Sequence, residues 1–347
     1  MWWEESPSIL AHPEVFDENH VPPEMHARDA QMREIGLCVR PITQGQKPMN
    51  CWLYGNPGVG KTATARWILR KLESEAGVTS VYVNCWENPT FFSVLEYVAR
   101  RLRMLGADKL STSFKLERLK QHVSREKMLV VLDEIDQPVP KERNAILYNL
   151  GRMPCVGLVC ACNSQYVYLG LEERVKSRLN PARILFEEYS REELTAILRE
   201  RAEYGLNPGA WDDSLLVTIT RLARGDARIA IQTLKNAAYL AERDSREKVT
   251  DADARRAWNS AKELKKTYLL RKLTDHHRLL YELVSKRPGI LSGDLWRAYR
   301  KTCADRHVKP IAIRTYSEYC NKLAELGLIE AKRAAIQGKV REFKVAE

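Results

Sequence analysis

Gly55–Thr64 reads GNPGVGKTAT, which contains the spacing G-x-x-x-x-G-K-T. Glycines at 55, 58 and 60 permit positive φ angles and close backbone approach, so successive main-chain N–H groups can face phosphate oxygens at a helix N-terminus. In such a loop the ammonium of Lys61 reaches the β and γ phosphates of a nucleotide, and the Thr62 hydroxyl takes a magnesium ion. Further along, Met128–Asp136 reads MLVVLDEID, an apolar run that delivers two carboxylates at its end. Asp133 is placed to hold Mg²⁺ through water and Glu134 to polarise an attacking water. A buried strand with an acidic turn after it would explain the second motif alone. Both motifs, in this order, point to binding and hydrolysis of a nucleoside triphosphate.

Regular elements have to bring these residues together. Cys51–Gly55 reads as a short buried strand and Thr62–Gly77 as a helix stopped by glycine. With a second strand near Val78–Cys85, the acidic-ended strand and a further one at Val156–Cys162, they form a parallel sheet whose strand ends face one crevice. The last of these ends in Asn163, which can orient the water near the γ phosphate or, equally, cap the helix that starts at Ser164. Arg228, in the GDAR that opens Gly225–Ala238, is placed just inside a helix and able to swing over a nucleotide.

An insertion, Phe91–Gly106, precedes the acidic strand. Val94, Leu95, Val98, Leu102 and Leu105 follow helical spacing, which leaves Arg100, Arg101 and Arg103 largely off the buried stripe, as on a solvated face. Thr250–Lys266 reads as the last helix of an all-α unit followed by a charged connector. Beyond it DHHRLLYELVSK, SGDLWRAYRKTCAD and IRTYSEYCNKLAELGLI read as three helices, and two strands follow around a turn at Gln337-Gly338.

Three helices and a hairpin are the pattern of a winged helix. Its third helix enters the major groove of DNA, and the hairpin lies against the backbone or minor groove. Arg314, Thr315, Tyr316 and Asn321 fall on or near that helix, with Lys332, Arg333, Lys339 and Arg341 on the hairpin. A winged helix can also be a protein-binding module. Charge distribution favours DNA: residues 270–347 hold 17 Lys and Arg against 9 Asp and Glu, whereas the remainder holds 39 against 36. Phosphate contacts supply most of the affinity in such interfaces.

At 347 residues the chain exceeds one compact core and suggests two or three domains. No apolar run reaches the roughly 18 residues a bilayer demands, and the N-terminus is acidic where a secretory signal is basic. A cytoplasmic, nucleoid-associated protein with no membrane segment is expected. The eight cysteines include no C-x-x-C pair and read as buried free thiols. Cys160 and Cys162 alternate along a strand and by themselves lack further metal ligands. His276 and His277 diverge by about 100° on a helix, so they are expected at the surface and not on a shared ion.

The order of motifs resembles the AAA+ ATPases: phosphate loop, DE strand, strand-terminal Asn, SR before an apolar strand, then GDAR on a helix. Within them it is similar to the origin-recognition and cell-division-cycle replication initiators, most like the archaeal single-chain form, from Val21 to Val345. The resemblance implies an α/β nucleotide-binding base with a parallel sheet at 1–187, a helical lid at 188–268 and a winged-helix domain at 269–347. It implies that the loop residues Asn56, Pro57, Gly58, Val59, Gly60, Lys61, Thr62 and Ala63 hold ATP or ADP, with Thr62 and Asp133 on Mg²⁺.

On the same footing Glu134 is the water residue, Asn163 the first sensor and Arg228 the second. Arg178 of Ser177-Arg178, with Arg174 as its competitor, reaches a neighbouring subunit's nucleotide. VPPEMHARDAQMREI looks like the segment that closes over adenine, with backbone contacts from Val21 and Pro22 and a contact from Arg28; Ala27 stands where the family usually has His. In that family the extra helix carrying Arg100, Arg101 and Arg103 touches DNA. Partners implied are double-stranded origin DNA, other initiator subunits and the replicative helicase, with slow hydrolysis as a reset. Rivals are a AAA+ helper of transposition or clamp loading, a signalling NTPase switch, whose long repeat array this sequence does not contain, and a DNA binder that holds its nucleotide permanently.

Overall fold

The structure, a computed structural model, describes residues 9–104, 111–123, 127–333 and 340–346. Trp2, Trp3, Leu105, Lys339 and the Gln337-Gly338 turn lie outside the described residues. The chain divides at Ala257/Trp258 into two units.

After a 3-10 turn at Pro13–Phe16 the first unit forms α1 (Asp29–Val39), and its sheet is formed by β1 (Cys51–Tyr54), β2 (Thr79–Asn84), β3 (Met128–Asp133), β4 (Val156–Cys162) and β5 (Ala182–Leu185). The strands pair in parallel in the order β2-β3-β4-β1-β5. Non-consecutive neighbours need crossover helices, which cover both faces and leave β3 and β4 buried at every residue. That is why both read as unbroken apolar runs.

On one face Trp52, Val130, Leu132 and Cys160 pack with α3 (Phe91–Arg101), α5 (Pro140–Gly151) and α7 (Glu173–Leu179). On the other, Leu53, Leu129, Val131 and Val159 pack with α1 and α2 (Lys61–Ala76). A short α6 (Tyr166–Leu169) follows β4, and α4 (Thr112–Val123), which the sequence did not suggest, follows α3. All eight cysteines are free and buried.

The lid packs its own core from α8 (Arg191–Gly205), α9 (Asp213–Ala223), α10 (Ala227–Arg243) and the start of α11 (Asp251–Lys272). Side chains set where these helices begin. Ser190 and Glu193 form a reciprocal capping box on α8, and Asp212 and Asp226 accept from Leu215 N and Ile229 N. The expected charged connector is helical instead: α11 runs through it to Lys272, because residues 262–272 contain no glycine or proline to stop it.

Two other expectations are corrected here. The insertion helix ends at Arg101, not Gly106: Arg103 adopts φ +53°, and Met104 N–H bonds back to Ala99 O at 3.0 Å, which closes the helix end. The second unit contains α12 (Asp275–Lys286), β6 (Ile290–Leu291), α13 (Ser292–Asp305), α14 (Ile313–Glu325), β7 (Ile329–Arg333) and β8 (Arg341–Val345), with an antiparallel sheet in the order β6-β8-β7. In its core His277 is 7% exposed and stacks on Tyr319 with centroids 3.7 Å apart, while half-buried His276 lies 2.8 Å from the Tyr299 hydroxyl. The histidine pair is thus built into the packing and not left at the surface.

Candidate nucleotide site and nucleic-acid interface

The phosphate loop joins the end of β1 to the start of α2, and its backbone could not be built from residues with side chains at two points. Gly58 and Gly60 adopt φ +80° and +87°, and a Cβ would sit 2.0 Å from Asp226 Oδ1 and 2.3 Å from the Tyr189 hydroxyl oxygen respectively. Asp226 is near because α10 is seated on the loop: Ala227 N–H donates to Gly58 O at 3.1 Å while the Asp226 carboxylate caps the same helix, and Tyr189 approaches from just before α8.

Lys61 is 7% exposed and donates to Gly55 O and Asn56 O, each at 2.8 Å, and to Asn163 Oδ1 at 3.2 Å. Burial pushes its pKa down, and Asp133 pulls it back up. Asn163 in turn donates to Asp136 Oδ2 at 3.2 Å, so its amide is engaged in the crevice and does not cap α6, which has no side-chain cap. Thr62 Oγ1 donates to Asp133 Oδ2 at 2.7 Å. Tyr82 donates to the same oxygen, also at 2.7 Å, and Asp133 Oδ1 takes the Glu134 N–H at 3.0 Å.

Glu134 sits in the left-handed region at φ +53°. Burial raises its carboxyl above the usual range, Asp133 and Asp136 add to the rise, and the positive charges of Arg228 and Lys61 oppose it. Arg228 itself is half exposed, 3.8 Å from Glu18. The structure thus brings Lys61, Thr62, Asp133, Glu134, Asn163 and Arg228 into one crevice from four separate segments.

The remaining donors and acceptors suit a nucleoside triphosphate carrying a divalent cation. Lys61 spends its protons on main-chain carbonyls, weaker acceptors than a phosphate oxygen. Thr62 and Asp133, both oxygen ligands of the kind magnesium takes, hold each other. Asp136 Oδ1 is buried with no hydrogen-bond partner among the described residues. Bound there, the nucleotide and its ion would rest on Lys61, Thr62, Asp133 and the loop amides from Asn56 to Ala63, Pro57 having none to give.

Arg28 meets the phosphate loop through the loop's main chain. It is 3% exposed, donates from Nε to Val59 O at 3.0 Å and from Nη2 to Glu187 O at 2.7 Å, and lies 3.7 Å above the Tyr189 ring. Its fork ties the phosphate loop to the segment after β5. Val21 and Pro22 are buried, and the segment around them is tied to α2 through Arg70 to Val21 O at 3.3 Å and Trp67 to Pro23 O at 3.0 Å. Cavities of about 440 and 180 Å³ open beside Pro23 and α8, not over Lys61.

Arg178 is exposed near the end of α7, where its charge depresses the pKa of Lys47 after burial has done so, and Lys47 bonds to Gly151 O and Met153 O. That is the edge where the strands begin, opposite the edge that carries Lys61 and Asp133. Arg174 pairs with Glu172 at 2.6 Å. Neither arginine bonds to a crevice residue among the described residues.

Among the expected DNA contacts, Arg100, Arg101 and Arg103 are exposed, with Arg100 3.4 Å from Glu96. Arg314 is 92% exposed at its side chain, Thr315 is half-buried, and Lys332 and Arg333 are exposed on β7. Arg341 on β8 donates to Asn321 of α14 at 2.6 Å and so ties the hairpin to that helix. Tyr316 is a correction. It is 5% exposed, donates to Ser292 O at 3.0 Å and packs on Trp296 and Tyr299, so it belongs to the core and reaches no groove.

Sequence reasoning passed over Asp136 and Tyr82. Asp136 was visible three residues after Asp133 in the quoted motif. Tyr82 needs the register of β2 on β3, which aligns Asn84 with Asp133 and Tyr82 with Val131, and no local pattern supplies that.

Three family descriptions match in chain order: an AAA domain at residues 45–173, a Cdc6 AAA+ ATPase-type lid domain at 195–259 and a CDC6 C-terminal winged helix domain at 270–347. The chain is 30% identical over 339 residues to ORC1-type DNA replication protein 9 of Halobacterium salinarum, covering 96% of this chain and 93% of that protein. It is 29% identical to ORC1-type DNA replication protein 1 of Sulfolobus acidocaldarius, covering 94% and 88%. Its fold matches the structure of the Aeropyrum pernix ORC1 protein in complex with DNA at a TM-score of 0.80, with 30% identity, 97% of this chain and 94% of that one. By sequence, by domain order and by fold, the chain belongs to the Orc1/Cdc6 family of AAA+ replication initiators.

Proposed function

We propose that this chain binds double-stranded DNA at a replication origin in a manner set by its nucleotide and helps to load the replicative helicase there. The observation that carries the reading is the direct hydrogen bond from Ala227 of the lid to Gly58 of the phosphate loop, one residue before Arg228. Through it the lid answers to whatever occupies the loop. Support for DNA as the partner comes from the basic C-terminal unit and from the relative whose structure holds DNA.

When bound, ATP with Mg²⁺ supplies a γ-phosphoryl group that water can remove. Lys61 fixes the phosphates, Glu134 takes up a proton from the attacking water, and Asn163, held between Lys61 and Asp136, orients that water. Arg228 senses the γ phosphate from the lid, and Arg178 serves the crevice of a neighbouring subunit. Hydrolysis is slow and acts as a reset.

Protection mapping on genomic DNA tests the reading. Discrete protected sites are expected with ATP, altered in extent with ADP, and weakened steeply by salt. A complete lack of protection on any duplex at low salt would sink the proposal.

A further inference from the structure

The carboxylate of Asp133 is aimed by more than the two motif residues. Tyr82 stands on β2, and its hydroxyl donates to Asp133 Oδ2 at 2.7 Å, the oxygen that also accepts from Thr62 at 2.7 Å. Thr62 is the donor that a divalent cation would claim for itself. Once it turned to the ion, the Tyr82 hydroxyl and the Glu134 amide would be the hydrogen-bond donors left on that carboxylate.

The phenol is suited to the task. A tyrosine hydroxyl is protonated at neutral pH and so can donate. Its ring is held in place by the Arg66 guanidinium, 4.2 Å from the centroid, and Arg66 is itself fixed by Nη1 donating to Asn19 Oδ1 at 2.6 Å. Arg66 sits one turn after Thr62 on α2, so the strand partner and the loop partner of Asp133 are locked together. A chain of contacts therefore runs from the N-terminal segment beside Val21 to the metal-side carboxylate.

We propose that Tyr82 is a positioning residue for the divalent-cation site, its hydroxyl keeping Asp133 aimed at the ion while Arg66 keeps the ring in place. This rests on the nucleotide reading of the crevice. Hydrogen bonds to metal-ligating groups from the layer behind them typically change metal affinity about 10- to 100-fold when removed.

Tyr82→Phe removes one oxygen and leaves the ring under Arg66. Fluorescent ADP is titrated onto the full-length protein in EDTA and then across a series of MgCl₂ concentrations. The expected result is an ADP affinity in EDTA equal to that of the parent, with the Mg²⁺ midpoint moved upward about tenfold. Superimposable Mg²⁺ curves would overturn the assignment, and so would an equal loss with and without Mg²⁺, which marks a packing defect. A parent whose ADP binding ignores Mg²⁺ would instead remove the metal from Thr62 and Asp133, and Tyr82 with it.

Discussion

The nucleotide crevice and the exposed basic side of the winged helix both present cations, yet they hold them in opposite ways. Lys61 is 7% exposed and satisfied by three acceptors before any ligand arrives. Arg314 is 92% exposed at its side chain and pairs with Glu318 at 3.4 Å. A small ligand of fixed shape rewards charges fixed in advance, because reorganisation is then avoided. A long polyanion needs charges that stay hydrated and adjust, at the cost of sensitivity to salt.

The difference can be broken most severely from the inside of the winged helix. Tyr316→Ala removes a buried ring that packs on Trp296 and Tyr299 and should destabilise that unit by about 3–5 kcal/mol. It should also lower affinity for every DNA sequence, as read by thermal unfolding alongside gel-shift titration. Retained stability would put Tyr316 back among surface contacts.

Lys61→Ala comes next, with an expected loss of about 100-fold in nucleotide affinity, in keeping with a charge-assisted contact to phosphate. Equilibrium titration with fluorescent nucleotide checks it, and a drop below threefold would show that the amides do the holding alone. Smaller again is the double reversal Arg333→Glu with Arg341→Glu, which should weaken all duplexes alike and reduce the slope of log affinity against log salt by about two. Smallest is Arg314→Ala, where about 1–3 kcal/mol should be lost only on the preferred sequence. An equal loss on random duplex would make it a phosphate contact.

The same contrast explains what could be read from the sequence. Lys61, Thr62, Asp133 and Glu134 sit in short motifs whose chemistry depends on local spacing, and the strands around them were legible as apolar runs. The ties of Arg28 are not legible locally because they depend on which carbonyls it meets across the fold, Val59 and Glu187, both remote in sequence. Tyr316 was misread because α14 has two faces, and one turn of helix decides which face carries a given side chain. His277 was placed at the surface for want of Tyr319, a partner forty-two residues away. The α11 connector differs for another reason: charge density alone does not break a helix where the sequence holds no glycine or proline to stop it.

The buried thiols have a practical consequence. Cys38 and Cys51 belong to the α1–α2 face of the sheet, Cys85, Cys155, Cys160 and Cys162 to the opposite face, and Cys303 and Cys320 to the winged helix, whereas the lid core contains none. A thiol reagent can react only as each shelter opens. The polypeptide thus carries native clocks for the breathing of its base and of its C-terminal unit, while lid fluctuations stay dark unless they expose one of the other shelters.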